Sequence, residues 1–360
     1  MADVRVESVA KYFGTFAAVE DVSTTFREGT VTVLLGPSGC GKTTLMRMIV
    51  GLDKPSTGRV FVGDRDVTKV ATSDRQIGMV FQYPVIYRGT SVERNIELPL
   101  IASKVDAAER KRRIDSVAEI VGITDLLKLS VDRLDNAGRQ RVAVAREVAR
   151  QPEVLLFDEP ITNVDLTSKL ELKRSLKNLF MSLKQTIIYV THDQTEAMSL
   201  ADSVALMNKG RIVQMGAPHQ IYSEPNDVFA GWFLGSPGMN FLTNCFTVEH
   251  GQLSSPLLAS PLAVNENAVN ARVMGIRPER VRTSLQPTDD GVPAEVLSRA
   301  ITIGGRILLE LKIHDTEFKA VVDDNMAAAA GQQMWVTFPA AEMRLFGSDD
   351  RVIDAGLPGQ

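Results

Sequence analysis

Gly36-Pro37-Ser38-Gly39-Cys40-Gly41-Lys42-Thr43 is the stretch that decides how this chain folds. Its spacing is G-x-x-x-x-G-K-[ST], in which glycines let backbone N–H groups turn inward around phosphate oxygens. In front of it stands Val31-Thr32-Val33-Leu34-Leu35, a short apolar run of buried-strand type. Behind it the pattern predicts a helix from Lys42 to about Val50, with its positive dipole end facing the same phosphates. Lys42 supplies a point charge for the β- and γ-phosphates, and the Thr43 hydroxyl is a candidate Mg²⁺ ligand. Pro37, Ser38, Cys40 and Thr44 complete the expected nucleotide contacts. The competing reading is a chance glycine-rich loop. A strand before and a helix after are what the nucleotide reading demands and the chance reading does not.

Working outward, Val154-Leu155-Leu156-Phe157 is a second apolar strand, and it ends in Asp158-Glu159. Asp158 at the strand tip is placed to hold Mg²⁺. Glu159, one residue on, is placed to polarise an attacking water as general base. An isolated Asp-Glu pair is usually a solvated turn; the upstream phosphate loop weighs against that here. A third strand, Thr186 to Val190, leads to His192, which is positioned to meet the γ-phosphate and orient the water. Gln82, after Met79-Val80-Phe81, occupies a similar strand end, and its amide reaches for Mg²⁺ or the water.

Strands alternating with helices imply an α/β fold with a largely parallel sheet. Between about Ser91 and Arg133 the texture becomes helical: Ile114, Val117, Ile120 and Val121 share one face, and Glu109 to Arg113 are charged. Further helices are expected over Arg139 to Arg150 and Leu166 to Lys184. After about Gly235 the breaker cluster Ser236-Pro237-Gly238 opens a region of short β-type runs: Ala271 to Ile276, Ala294 to Leu297 and Arg306 to Ile313. This reads as an all-β domain, a small barrel. Asp354 to Gln360 reads as a frayed tail.

Composition narrows the function classes. The 360 residues allow two or three domains, and the net charge of -4 supplies no global attraction to nucleic acid or anionic lipid. Two cysteines, Cys40 and Cys245, are too few for a disulfide framework and suit a reducing compartment. Met1-Ala2-Asp3-Val4-Arg5 begins no long apolar run, so no signal peptide is expected. No run approaches the ~20 apolar residues of a membrane span.

Taken in order, these residues resemble an ABC ATPase over roughly residues 3 to 235. The phosphate loop (Gly36 to Thr43) is followed by a Q-loop (Gln82) and a signature-region segment (Leu134 to Arg141). A Walker B strand (Val154 to Glu159), a D-loop (Thr162-Asn163-Val164-Asp165) and a switch histidine (His192) complete the series. The resemblance implies that Phe13 stacks on adenine; the alternative is that Tyr12 and Phe13 are core. Phe233 to Asn240 and Gly275-Ile276-Arg277-Pro278-Glu279 are similar to segments of carbohydrate-importer ATPases, a group that includes maltose, sn-glycerol-3-phosphate and glycerol systems.

That likeness implies an α/β P-loop NTPase domain over residues 1–235, with a helical subdomain at about 88–150. It implies an all-β oligonucleotide-binding-type barrel over 236–360, used for regulation. The implied cofactors are ATP and Mg²⁺. The implied partners are a second ABC ATPase, two permease subunits and a periplasmic or lipid-anchored binding protein, with no nucleic acid. The chain would then be peripheral on the cytoplasmic face of the inner membrane, powering uptake of a sugar or small polyol such as glycerol.

One segment departs from the family pattern. Where the family reads Leu-Ser-Gly-Gly-Gln, this chain reads Leu134-Asp135-Asn136-Ala137-Gly138, then Arg139-Gln140-Arg141. In the family this segment reaches across a dimer and caps the γ-phosphate held by the opposite chain. Asp135 brings a negative charge in place of a hydroxyl donor, and Asn136 and Ala137 add Cβ atoms where contact is close. Loss of such a donor removes about 2.7–4 kcal/mol of transition-state stabilisation. With Lys42, Asp158, Glu159 and His192 all present, the expectation is an asymmetric pair whose other ATPase carries an intact signature. A homodimer with two slow sites and a weakly hydrolysing regulatory subunit are the alternatives.

Other functions fit less well. Soluble ABC proteins of translation or DNA repair join two cassettes or carry nucleic-acid-binding insertions, and exporters often fuse the cassette to membrane helices. Tyr83-Pro84-Val85-Ile86-Tyr87, apolar and aromatic in a polar surrounding, reads either as a groove for a permease helix or as helical-subdomain core.

Overall fold

The computed structural model describes all residues except Met1, Asn163, Val164, Asp165, Ile303, Ala327 and Gln360, and all side chains of those except Leu166. It divides into two compact units, residues 1–219 and 220–360. The division falls earlier than the Gly235 boundary expected from the breaker cluster.

The first unit has two sheets. β1 (Val4–Phe13), β2 (Phe16–Phe26), β4 (Thr57–Val62) and β5 (Arg65–Asp66) form an antiparallel sheet in the order β2-β1-β4-β5. The sequence reading did not anticipate this sheet. Its long strands carry bulges, with Ser8 and Asp21 at positive φ, and each bulge breaks the alternation that marks a half-buried strand.

The second sheet is the expected one. β3 (Val31–Leu35), β6 (Ile77–Val80), β7 (Val154–Asp158), β8 (Thr186–Thr191), β9 (Ser203–Asn208) and β10 (Arg211–Gly216) run in the order β10-β9-β3-β8-β7-β6. All neighbours pair parallel except β9 and β10. Every residue of β3, β6, β7 and β8 is buried, as expected of parallel strands covered on both faces. In register, Val80 pairs with Phe157, Asp158 with Val190, and Leu35 with Thr191. The C-terminal ends of four neighbouring strands therefore lie side by side, where an open α/β sheet collects its ligands.

α1 (Lys42–Val50) starts at the phosphate loop and ends at Gly51 in the left-handed conformation. Its last carbonyls are taken up by Arg75, which is 1% exposed and donates to Met48 O, Ile49 O, Val70 O and Thr68 O. A Cβ at Gly51 would lie 2.5 Å from that guanidinium, so glycine is required on both counts.

The expected helical insertion is α2 (Val92–Ala102) and α3 (Ala107–Val121), leading by two short 3₁₀ turns into α4 (Asn136–Ala149). Ser91 and Asp106 cap α2 and α3 through their side chains. The buried face of α3 is Ile114, Val117, Ala118 and Val121; Ile120 is only half-buried. α5 (Leu166–Ser182) and α6 (Gln194–Leu200) follow.

α7 (Pro218–Ser223) begins two residues before the division, and after it α8 (Val228–Phe233) gives way to strands joined by short 3₁₀ turns. β11 (Asn240–Thr243), β15 (Val273–Ile276), β21 (Met343–Phe346) and β22 (Val352–Ile353) form one antiparallel sheet. β12 (Thr247–Glu249), β13 (Gln252–Ser254) and β14 (Leu262–Ala263) form a second. The third has the order β16-β20-β17-β18-β19, with β16 (Arg282–Ser284), β17 (Val292–Ile301), β18 (Ile307–Ile313), β19 (Thr316–Val322) and β20 (Gln333–Thr337). β18 alternates buried Ile307, Leu309, Leu311 and Ile313 with more exposed positions, and that inner face joins one core with Met274, Phe318, Met334 and Leu345.

Arg277 explains its own motif. It is 3% exposed and donates to Tyr222 O, Gly231 O and Leu234 O, with its guanidinium 4.1 Å from the Tyr222 ring centroid. The Tyr222 hydroxyl in turn donates to Glu279 at 2.6 Å. The C-terminal segment is not frayed as expected: Ala355 and Leu357 are buried, and Ala355 O accepts from Asn265 N.

Candidate nucleotide site

The phosphate loop is built where backbone crowds it. A Cβ at Gly36 would lie 2.2 Å from Met207 O. At Gly41, with φ +105°, it would lie 2.3 Å from Ala18 O. No other residue fits either place. Gly41 opens α1, so the free N–H groups of the first helical turn face the loop. Lys42 is 4% exposed; its Nζ donates to Gly36 O and Pro37 O, both at 2.9 Å. Among the described residues no carboxylate pairs with this buried ammonium, which suits it to a polyanion. Cys40, within the loop, is itself buried, and burial pushes its thiol pKa up.

The metal-type groups sit together. Thr43 Oγ1 donates to Asp158 Oδ1 at 3.1 Å, joining α1 to the tip of β7. Burial raises the pKa of Asp158, against the Thr43 hydrogen bond, and the neighbouring Glu159 charge adds to the rise. A carboxylate so placed gains from a cation. Among the described residues no group of three or more His, Cys, Asp and Glu is assembled to hold a metal alone. Thr43 and Asp158 therefore fit Mg²⁺ that keeps phosphate and water ligands, the usual habit of that ion.

Glu159 adopts φ +44°, a conformation uncommon outside glycine, while its N–H donates to Val190 O at 3.0 Å. Its Oε2 receives Thr162 Oγ1 at 3.2 Å and lies 3.1 Å from His192 Nδ1. The sequence-predicted base and histidine are thus in contact across β7 and β8. The Asn163-Val164-Asp165 part of the expected D-loop lies outside the described residues.

Gln82 lies two residues past β6, half-buried, at the same edge. Phe13 ends β1 and is 55% exposed beside Tyr12 and Phe16, so neither Tyr12 nor Phe13 is core. Tyr83, Val85 and Tyr87 are likewise exposed, which removes the core reading of that segment.

The signature-region turn is intact as a helix start. Asp135 caps α4, its Oδ1 accepting Gly138 N at 2.7 Å. Asp135 and Asn136 are exposed, but Ala137 is buried, so its added methyl points inward rather than outward.

The supports behind His192 were not read from the sequence. Asp193 caps α6 by accepting Thr195 N and Glu196 N. Glu196, 2% exposed, receives Tyr189 OH at 2.9 Å and Thr191 Oγ1 at 2.8 Å. Lys169 from α5 lies 2.9 Å from Asp193 and 3.3 Å from Glu196. Asp193-x-x-Glu196 was a legible capping signal, but its Glu turns away to β8 and Lys169.

Residues 19–162 match the family model described as ABC transporter, and residues 274–346 match the TOBE domain. The trehalose/maltose import ATP-binding protein MalK of Thermococcus litoralis is 37% identical over 96% of this chain and 98% of its own length. An sn-glycerol-3-phosphate import ATP-binding protein UgpC of Agrobacterium fabrum is 36% identical over 96% and 93%. The xylose/arabinose import ATP-binding protein XacJ of Haloferax volcanii is 34% identical over 97% and 94%. CbiO1 of Clostridium perfringens, part of the ABC transporter complex CbiONQ, has a similar structure. Its TM-score is 0.57 at 28% identity, covering 61% of this chain and 90% of that one.

Proposed function

Since the chain belongs to the import ATP-binding proteins of the ABC transporter family, we propose that its ATP hydrolysis drives uptake of a sugar or small polyol, glycerol among them. The observation that carries the catalytic half of this reading is the contact of Glu159 with His192 beside Thr43 and Asp158. Glu159 accepts a proton from the attacking water, and His192 orients that water toward the γ-phosphate. The loop from Gly36 to Thr44 and Lys42 hold the phosphates, and Phe13 offers an exposed ring to the adenine. Thr43, Asp158 and Gln82 would hold Mg²⁺, which neutralises charge across the phosphates.

No helix among the described residues is long and apolar enough to cross a membrane. Transport then depends on other chains: two permease subunits on whose cytoplasmic side this one docks through Tyr83, Val85 and Tyr87, and a binding protein that delivers the solute. The second unit, with its TOBE match, serves regulation.

We further propose an asymmetric ATPase pair. Asp135 presents a carboxylate where a hydroxyl donor would meet a phosphate on the opposite chain. A different ATPase with an intact signature would complete the site containing Glu159, while the opposite site stays slow. The test is ATP turnover of the chain alone and with a candidate second ATPase. The pair is expected to exceed the lone chain at least tenfold, and Glu159→Gln is expected to abolish the gain. Strong turnover by the lone homodimer, abolished by Glu159→Gln, would sink the asymmetric model.

A further inference from the structure

Three exposed aromatic rings stand where β1 turns into β2: Tyr12, Phe13 and Phe16. Phe13 and Phe16 pair in register across that hairpin. Among the described residues, only Phe13 of the three carries a cation on its face. Lys11, two residues earlier on the same side of the strand, holds its Nζ over the Phe13 ring, 5.3 Å from the centroid. That ammonium is not a loose surface charge. Lys11 is half-buried, and its Nζ donates to Lys54 O at 2.8 Å. Tyr12 N donates to Ser56 Oγ at 3.1 Å, and Ser56 N donates to Ala10 O at 2.8 Å. Three hydrogen bonds thus tie the end of β1 to the segment that leaves α1, the helix opened by the phosphate loop.

A fixed cation does two things to an exposed ring. It covers one face, so a planar ligand has only the other to stack on. It also draws π density toward itself, so the open face becomes less negative. Two ring faces repel where both are negative, which is why aromatic pairs avoid the direct sandwich. A ring relieved of that density stacks more readily on an electron-rich purine. Because Lys54 O anchors the ammonium, the ring also has less freedom to lose when a ligand arrives. Tyr12 and Phe16 have neither advantage.

We propose that Lys11 is a positioning residue for the nucleotide base: it holds and polarises the Phe13 ring, so that Phe13, and not Tyr12 or Phe16, stacks on adenine. The role of Lys11 rests on the adenine contact given to Phe13 above. What is new is the lysine and its anchor at Lys54 O.

Calorimetric titration of the full chain with Mg²⁺ tests it, using two ligands: AMP-PNP, which carries the base, and inorganic tripolyphosphate, which does not. Lys11→Met removes the charge and keeps the stem. It is expected to raise the Kd for AMP-PNP about two- to fivefold and to leave the Kd for tripolyphosphate unchanged, which also shows that the phosphate loop is folded. Lys11→Arg returns a cation to the ring and brings the AMP-PNP Kd back toward wild type. Phe13→Ala is expected to raise that Kd at least about fivefold. Adding Lys11→Met to Phe13→Ala then changes nothing further, because the lysine acts only through the ring. Losses that multiply in the double variant overturn the proposal. An equal rise for both ligands does so too, since it would make Lys11 a support of the phosphate loop. If Phe13→Ala weakens AMP-PNP binding while Lys11→Met does not, the lysine has no role and the adenine contact stands. If Phe13→Ala leaves AMP-PNP binding unchanged, the adenine contact falls and the role of Lys11 falls with it.

Discussion

Two turns of the first unit, both given roles in the proposed function, are held in opposite ways. The turn from Thr191 to Glu196, which presents His192, stands on a buried network: Tyr189, Thr191 and Lys169 all converge on Glu196. The signature turn from Leu134 to Gly138 is closed by its own cap, Asp135 to Gly138 N, with Asp135 and Asn136 exposed. The first cannot change Thr191 or Glu196 without leaving a buried partner unpaired. The second can change what it shows to a neighbour and keep its helix. The asymmetric pair proposed above rests on the self-contained turn, and the supported turn carries His192.

The sharpest way to break this contrast is at Glu196. Glu196→Ala strands two buried hydroxyls and leaves Lys169 with Asp193 alone, so a loss of about 3 kcal/mol or more is expected in urea unfolding. Glu196→Gln keeps the shape and acceptor oxygen and loses the charge, so its loss is smaller. If Glu196→Ala unfolded at the wild-type midpoint, the turn would not depend on that network.

The phosphate loop and the strand-end residues were legible because each is a local motif: Gly36 to Thr43 and Asp158-Glu159 are contiguous, and apolar runs announce their strands. The supports were not, because each joins distant residues. Thr43 meets Asp158, Gln140 meets Phe81, and Lys169 meets Asp193 across gaps of 115, 59 and 24 residues. Nothing local marks such a pair. The buried arginines show the same limit. Arg75 and Arg277 look like surface residues by type, yet both are spent on backbone carbonyls. Arg277 stood in a segment recognised by resemblance alone; its place in the fold gives that segment a physical reason.

A pH experiment probes the supported turn more gently. Burial pushes the Asp193 pKa up, but hydrogen bonds from Thr195 and Lys169, with the Lys169 charge, outweigh it and leave the pKa lowered. A carboxyl lowered on folding stabilises above its unfolded pKa and ceases to as pH falls toward the folded one. Stability should therefore drop as pH falls below about 4, the ordinary aspartate range. Asp193→Asn should flatten that part of the curve and lower stability at pH 7. An unchanged acid slope would show that Asp193 is not held as the geometry indicates.

The smallest expected effect belongs to the signature turn, and it separates the two roles of Asp135. As a cap, Asp135 contributes about 1 kcal/mol, the usual loss when such a side chain becomes Ala. Asp135→Ala should lower stability by that amount. Serine caps as well as aspartate does, so Asp135→Ser should leave the unfolding midpoint within a few tenths of a kcal/mol. Any change in ATP turnover in the Asp135→Ser pair then reports what the turn shows to the opposite site, not whether α4 is formed. Under the asymmetric reading, turnover at the partner's nucleotide site rises and the site built on Glu159 is unaffected. Equal turnover at both sites before and after the change would mean that the carboxylate serves the helix alone.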